Sequence, residues 1–204
     1  MAFFHTFAKG KLKKQRIMEE QEMKPWKVLE REYLIKRPWL TARRDKLQLP
    51  DGRIVPEYYV LEYPDWVNVI AITRDGQFVM ERQYRHGAGR TSLELPCGVM
   101  EQGETPLEAA QRELLEETGF GGGEWRKLME VCPNPSAMSN VTHCFVAVGV
   151  ERVADPHLDA TEELSVIFRS REEVKRMLAQ DEICQALMVA PLYKYFMEQS
   201  EGKA

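Results

Sequence analysis

GVMEQGETPLEAAQRELLEETGF, residues 98–120, carries the strongest structural signal in this chain. Its second half is a helix marked at both ends. Thr105 stands where an N-cap accepts a backbone hydrogen bond, Pro106 fills the first helical position, and Glu108 follows the cap by three residues, which together make a capping box with proline at its preferred place. Gly119 sits where a left-handed C-terminal cap is needed. Leu107, Ala110 and Leu114 recur at i, i+3 and i+7, predicting one face buried against a sheet.

On the same helix Glu113, Glu116 and Glu117 lie at i, i+3 and i+4, so their carboxylates share one side near its C-terminal end. Like charges at this spacing destabilise a helix by roughly 0.2 to 0.5 kcal/mol per pair. Acids at the negative end of the macrodipole add about 0.3 to 1 kcal/mol each. A hard divalent cation, which takes carboxylate oxygens as ligands, offsets both. On an arbitrary helix the same acids are more simply a solvated face. Here Gly98, Glu104 and Arg112 precede them at fixed intervals and Gly119-Phe120 closes the run, which tips the balance toward a site.

Outward from this helix the chain alternates in short runs. Residues 67–73 and 77–84 read as two strands joined across Arg74-Asp75-Gly76, a tight-hairpin signature that opens a main sheet. Residues 27–35, 40–49 and 53–63, with Pro50-Asp51-Gly52 as a turn, predict a small antiparallel sheet. Residues 1–24 are charged and read as a helical arm ending near Pro25. Toward the C-terminus, strands over 125–131 and 141–150 flank a Pro-rich loop, and helices are expected over 171–180 and 183–199. The chain thus divides into an arm (1–24), a β subdomain (25–64) and one larger domain (65–204), an α+β organisation.

A formal charge of -4, from 32 acidic and 28 basic side chains, gives no global attraction for nucleic acid or an anionic membrane. No apolar run approaches the roughly 18 residues of a membrane span, so a cytoplasmic protein is expected. Cys97, Cys132, Cys144 and Cys184 form no C-x-x-C pair, and His5, His86, His143 and His157 show no ligand spacing, which argues for reduced structural thiols and against a zinc site.

Gly98-x5-Glu104-x7-Arg112-Glu113-Leu114-Leu115-Glu116-Glu117-Thr118-Gly119-Phe120 resembles the 23-residue box of the Nudix hydrolase family at every defined position. Chance would produce such a match in a chain of this length about once in a million. The resemblance implies an α/β/α sandwich with a mixed sheet. It further implies metal ligation by Glu113, Glu116, Glu117 and the carbonyl of Cys97, with magnesium or manganese as cofactor. The same resemblance implies a catalytic role for Glu116. Gly98, Glu104 and Arg112 would give structural support, Glu104 pairing with Arg112. The implied reaction is attack of water on a diphosphate, with a general base supplied from outside the box by Glu162 or Glu163, Glu162 being favoured.

Gln83-Tyr84-Arg85 and Glu94-Leu95-Pro96-Cys97-Gly98 resemble the branch that cleaves ADP-ribose and other nucleoside diphosphate sugars. In that branch Arg85 would grip a substrate phosphate, with a surface salt bridge as its simpler role, and Glu94 would either make a further metal or ribose contact or only stabilise the loop. The N-terminal sheet is similar to one that is exchanged in a homodimer. One departure stands out: Pro133-Asn134-Pro135-Ser136-Ala137-Met138-Ser139-Asn140 lacks the branch's Pro-Gly and nearby Glu. This loop is expected to border the pocket and to widen substrate choice. Trp39, Tyr58 and Trp66 are candidates to stack on a base, although core or interface roles are simpler. The rival readings are another diphosphate substrate (a dinucleotide polyphosphate, coenzyme A or a nucleoside triphosphate) and a binding module that does not cleave.

Overall fold

Hydrophobic alternation and paired charges build the N-terminal sheet. In a computed structural model, which describes residues 23–158, 163–200 and 202, β1 (Lys27–Arg37), β2 (Leu40–Gln48) and β3 (Ile54–Glu62) pair antiparallel in that order. Residues 1–22 of the expected arm lie outside the described residues. Gly52, at φ 88°, closes the turn between β2 and β3, a conformation that favours glycine. Asp45 is buried on β2, accepts a 2.9 Å hydrogen bond from Arg31 Nε of the facing strand, and also pairs with Arg43. The two cations compensate burial of that carboxylate.

The larger sheet comprises β4 (Trp66–Thr73), β5 (Phe78–Arg85), β6 (Arg90–Glu94), β7 (Cys97–Val99), β8 (Phe120–Gly121), β9 (Glu124–Val131), β10 (Thr142–Arg152) and β11 (Leu164–Arg169). Its path is β11-β5-β4-β10-β8, with β6 on β5, β7 on β4 and β9 on β10. Among the described residues of this sheet only the β4–β10 pair is parallel, so the sheet is mixed.

The apolar run over 69–72 in β4, within a strand buried along nearly its whole length, is the signature of a strand covered on both faces. Successive side chains alternate sides. Val67, Val69 and Ala71 pack with Ala109, Ala110 and Leu114 of α1 (Pro106–Thr118), whereas Ile70 and Ile72 pack with Val174, Met177, Met188 and Leu192. The latter come from α2 (Arg171–Ala179) and α3 (Ala186–Ser200). Helices on both faces give the expected sandwich. The last helix begins at Ala186, later than the expected 183: its first bonds run from the Met188 and Val189 N–H groups to the Gln185 carbonyl, and Ile183 precedes it as a core residue.

Both ends of α1 have the predicted chemistry. The Thr105 side chain accepts from the Glu108 N–H while the Glu108 carboxylate accepts from the Thr105 N–H, and Gly119 caps the other end at φ 74°. A Cβ on Gly119 would lie 2.2 Å from the Ala154 carbonyl oxygen, so close approach as well as conformation demands glycine there. The buried face differs from expectation in one residue. Leu107 is 39% exposed and Ala109 is buried in its place. Small residues at 109 and 110 let the helix lie close to the sheet, which brings the sides of Glu113 and Glu117 inward.

Candidate functional site

The close packing of α1 sets the position of its acids. Glu113 and Glu117 are buried and Glu116 is partly exposed. Together with Arg85, Gln83, Trp39, Trp66, Cys97, Gly98, Val99, Glu101, Arg112 and His157 they line one cavity of about 520 Å³. Glu117 Oε2 accepts a 2.8 Å hydrogen bond from the Cys97 N–H of β7. Gly98 faces Glu113 so closely that a Cβ there would fall 2.1 Å from the carboxylate carbon. The glycine is therefore a cradle for an acid.

Arg112 ties the cavity wall together. Its Nε and Nη2 donate to Glu104 at 2.7 and 2.9 Å, Nη2 also donates to the Val99 carbonyl at 3.0 Å, and Nη1 donates to Glu113 at 2.9 Å and Glu116 at 3.1 Å. These bonds hold Glu104 at a pKa of about 2, so its folded-state carboxylate persists until pH falls to that value. The folded-state pKa is depressed, so the contribution to stability is present above the ordinary carboxylate range and fades as pH falls through it.

Arg85 is paired bidentately with Glu94, Nε to Oε1 at 3.0 Å and Nη2 to Oε2 at 2.5 Å. Glu94 is 1% exposed and lies beneath Arg85, away from the cavity lining. The structure thus places Glu94 as the buried anchor of an arginine that itself borders the cavity. The hydrogen bond to Glu94 raises the Arg85 pKa further above its ordinary value, so the guanidinium stays cationic. Burial pushes the Cys97 thiol up, leaving its sulfur neutral.

The remaining expected residues separate. Glu163 is exposed and precedes Leu164, whose register partner Gln83 lines the cavity; Glu162 lies outside the described residues. The loop over 133–140 does not border the cavity as expected. Instead it is tied to β3: the Leu61 N–H donates to Ala137 O at 2.7 Å, Leu61 bridges to Met138, and the Tyr58 hydroxyl donates to Ser136 O at 2.5 Å. Tyr58 is thereby occupied outside the cavity, whereas Trp39, at the tip of the β1–β2 hairpin, is 81% exposed and lines it.

Two residues were missed from sequence. Glu81 is fully buried beside Glu94, its register partner, and burial followed by the charge of Glu94 raises its pKa to about 8. Its signal was parity: on a period of two, Glu81 shares a strand face with Val79, a core position. His157 donates its backbone N–H to the Glu116 carbonyl at 2.7 Å and so satisfies a C-terminal carbonyl of α1.

The donor set fits a hard divalent cation, with glutamate oxygens on successive helical turns and a side chain-free backbone opposite them at Gly98. Among the described residues, no three acidic, histidine or cysteine side chains already converge on one point. The physical reason is visible in the bonding, since Arg112 engages Glu113 and Glu116 while the Cys97 N–H engages Glu117. A cation held here by Glu113, Glu116 and Glu117 would exchange with these contacts.

The family described as NUDIX domain matches residues 63–190, and one described as nucleoside diphosphate sugar hydrolase N-terminal domain matches residues 26–61. An ADP-ribose pyrophosphatase of Bacillus subtilis (strain 168) is 32% identical over 145 residues, covering 71% of this chain and 68% of that protein. An ADP-ribose pyrophosphatase of Mycobacterium tuberculosis (strain ATCC 25618 / H37Rv) is 31% identical over 150 residues, or 72% of each chain. A methanol dehydrogenase activator of Bacillus methanolicus is 31% identical over 140 residues, covering 68% of this chain and 75% of that one. Among solved structures, the crystal structure of an ADP compounds hydrolase superposes with a TM-score of 0.78 at 22% identity, over 90% of this chain and all of that one. That likeness establishes the fold. No helix among the described residues is long and apolar enough to cross a membrane.

Proposed function

We propose that this chain, which belongs to the NUDIX family, hydrolyses the pyrophosphate bond of ADP-ribose or another nucleoside diphosphate sugar with magnesium or manganese. The products are a nucleoside monophosphate and a sugar phosphate. The observation that carries this is the placement of Glu113, Glu116 and Glu117 in one cavity with Arg85. Relatives bearing the name ADP-ribose pyrophosphatase support the substrate class.

Glu113, Glu116 and Glu117, with the Cys97 carbonyl beside them, would hold the cation. When bound, it neutralises diphosphate oxygens and lowers the pKa of attacking water. Arg85 is fixed by Glu94 so that the rest of its guanidinium can meet a phosphate, for which its planar donors are suited. Trp39, exposed on the rim, offers a face for a nucleobase. Glu162 or Glu163 would take the proton of water as a P–O bond forms and the anhydride P–O bond breaks. Arg112 and Glu104 keep the loop after Gly98 against the helix.

A panel of ADP-ribose, other nucleoside diphosphate sugars, dinucleotide polyphosphates, coenzyme A and nucleoside triphosphates tests this directly. Turnover should be highest on nucleoside diphosphate sugars, vanish with EDTA and return with magnesium. Trp39→Ala should raise KM more than it lowers kcat. Turnover of no diphosphate would overturn the hydrolase, and preference for another class would overturn the substrate.

A homodimer completes the proposal. All eleven residues of β1 are exposed, and Val28, Leu29, Tyr33, Leu34 and Ile35 are each 39–46% accessible. So apolar an edge strand is a liability unless covered, and a second copy of this subdomain is the matching surface. Sedimentation velocity should give twice the chain mass; a monomer at micromolar concentration would refute it.

A further inference from the structure

Two polar side chains of the cavity have no task in the reaction proposed above. Gln83 and His157 line it together with the three glutamates and Arg85. Among the described residues neither side chain has a hydrogen-bond or ion-pair partner, whereas Arg85, Arg112 and the helix acids are all engaged.

Both are firmly placed by the backbone. Gln83 is partly buried on β5, between β6 and β11, where Ser92 and Leu164 are its register partners. On a period of two it shares a strand face with Arg85, so carboxamide and guanidinium start roughly 7 Å apart along the strand. His157 is exposed and lies in the connection after β10, which is pinned to the end of α1. There the Val153 and Ala154 N–H groups donate to the Gly119 carbonyl at 2.9 and 3.1 Å, and the His157 N–H donates to the Glu116 carbonyl at 2.7 Å. The same connection ends at Leu164, beside Gln83. Trp39 comes from a different element, the β1–β2 hairpin.

A carboxamide offers both donors and an acceptor, and an imidazole has at least one ring N–H to donate. A diphosphate only accepts, so it would leave the carboxamide oxygen unused. Hydroxyls donate and accept, and they match both side chains. In a nucleoside diphosphate sugar such hydroxyls lie next to the phosphate that Arg85 is placed to meet.

We propose that Gln83 and His157 are specificity residues that hydrogen-bond the hydroxyls of the sugar carried by the second phosphate. This rests on the chain cleaving nucleoside diphosphate sugars. A site built to hydrogen-bond a hydroxyl rejects the analogue that lacks it, because its own polar groups are then left unpaired.

The test compares kcat/KM with magnesium for ADP-ribose and for the methyl ester of ADP, which keeps the pyrophosphate bond but has no second sugar. The unmodified protein should favour ADP-ribose by about a hundredfold, and Gln83→Ala and His157→Ala should each cut that preference about tenfold. Alanine retains the N–H that meets Glu116 and the strand pairing of β5, so Tm should hold in both variants. Manganese affinity, followed by the electron paramagnetic resonance signal of the free ion, should hold as well. Equal losses on the two substrates, or a loss of manganese affinity, would mean a structural or cation-linked role and overturn the proposal. So would equal turnover of both substrates by the unmodified protein. If that protein cleaves neither, the hydrolase reading fails and takes this inference with it, whereas cleavage with an unchanged preference in the variants condemns only the roles of Gln83 and His157.

Discussion

Glu117→Gln should lower kcat on a nucleoside diphosphate sugar about a thousandfold, in the range lost when one electrostatic stabiliser is removed from an active site. That corresponds to about 4 kcal/mol of transition-state stabilisation. The substitution isolates charge. Glutamine has nearly the shape of glutamate, and its side-chain oxygen can still accept from the Cys97 N–H that Glu117 Oε2 meets at 2.8 Å. The contact between α1 and β7 therefore survives, and Tm should hold within a few degrees. What disappears is one negative charge from a buried carboxylate facing the cavity. Steady-state kinetics at rising magnesium, with thermal unfolding as the control, checks the result. Partial recovery at high magnesium is expected because Glu113 and Glu116 remain. Unaltered kcat would remove Glu117 from the metal site.

Much of this site was legible because it is local. The acids, their support and both helix ends fall within 98–120, where spacing alone places side chains on a common face. The capping box and the left-handed Gly119 are likewise short-range chemistry, and both formed as expected. Long-range placement was harder to read. Glu81 and Glu94 lie on different strands, and their meeting depends on the β5–β6 register. The loop over 133–140 carried turn residues but no mark that Leu61 and Tyr58 of another sheet would satisfy its carbonyls. Leu107 shows the limit of periodicity: the i, i+3, i+7 pattern was right about the helix but misjudged by one residue which side chains the sheet would cover. The short strands β6 and β7 exist because β5 and β4 offer them partners, which no propensity within three to five residues could reveal.

The second large effect is expected at a residue with no side chain. Gly98→Ala should reduce kcat about a hundredfold, the scale of loss that a displacement near 1 Å produces in a positioned group, while changing Tm little. An alanine Cβ would stand 2.1 Å from both the carboxyl carbon and Oε1 of Glu113 and 2.3 Å from Oε2. One of the two must move. Gly98 lies on β7, which is paired to β4 in the centre of the sheet, whereas the Glu113 carboxylate is the far end of a flexible chain. The acid therefore moves, and the backbone stays. Nor does the backbone itself require glycine here, since Gly98 is not among the positive-φ glycines. Stability and function should accordingly part company: the displaced carboxylate keeps a partner in Arg112, 2.9 Å away at present, but leaves the place from which it would meet the cation. Manganese affinity should fall together with kcat. A variant with reduced Tm and normal turnover would mean that Gly98 serves only the packing of β7, and that Glu113 has no part in the reaction.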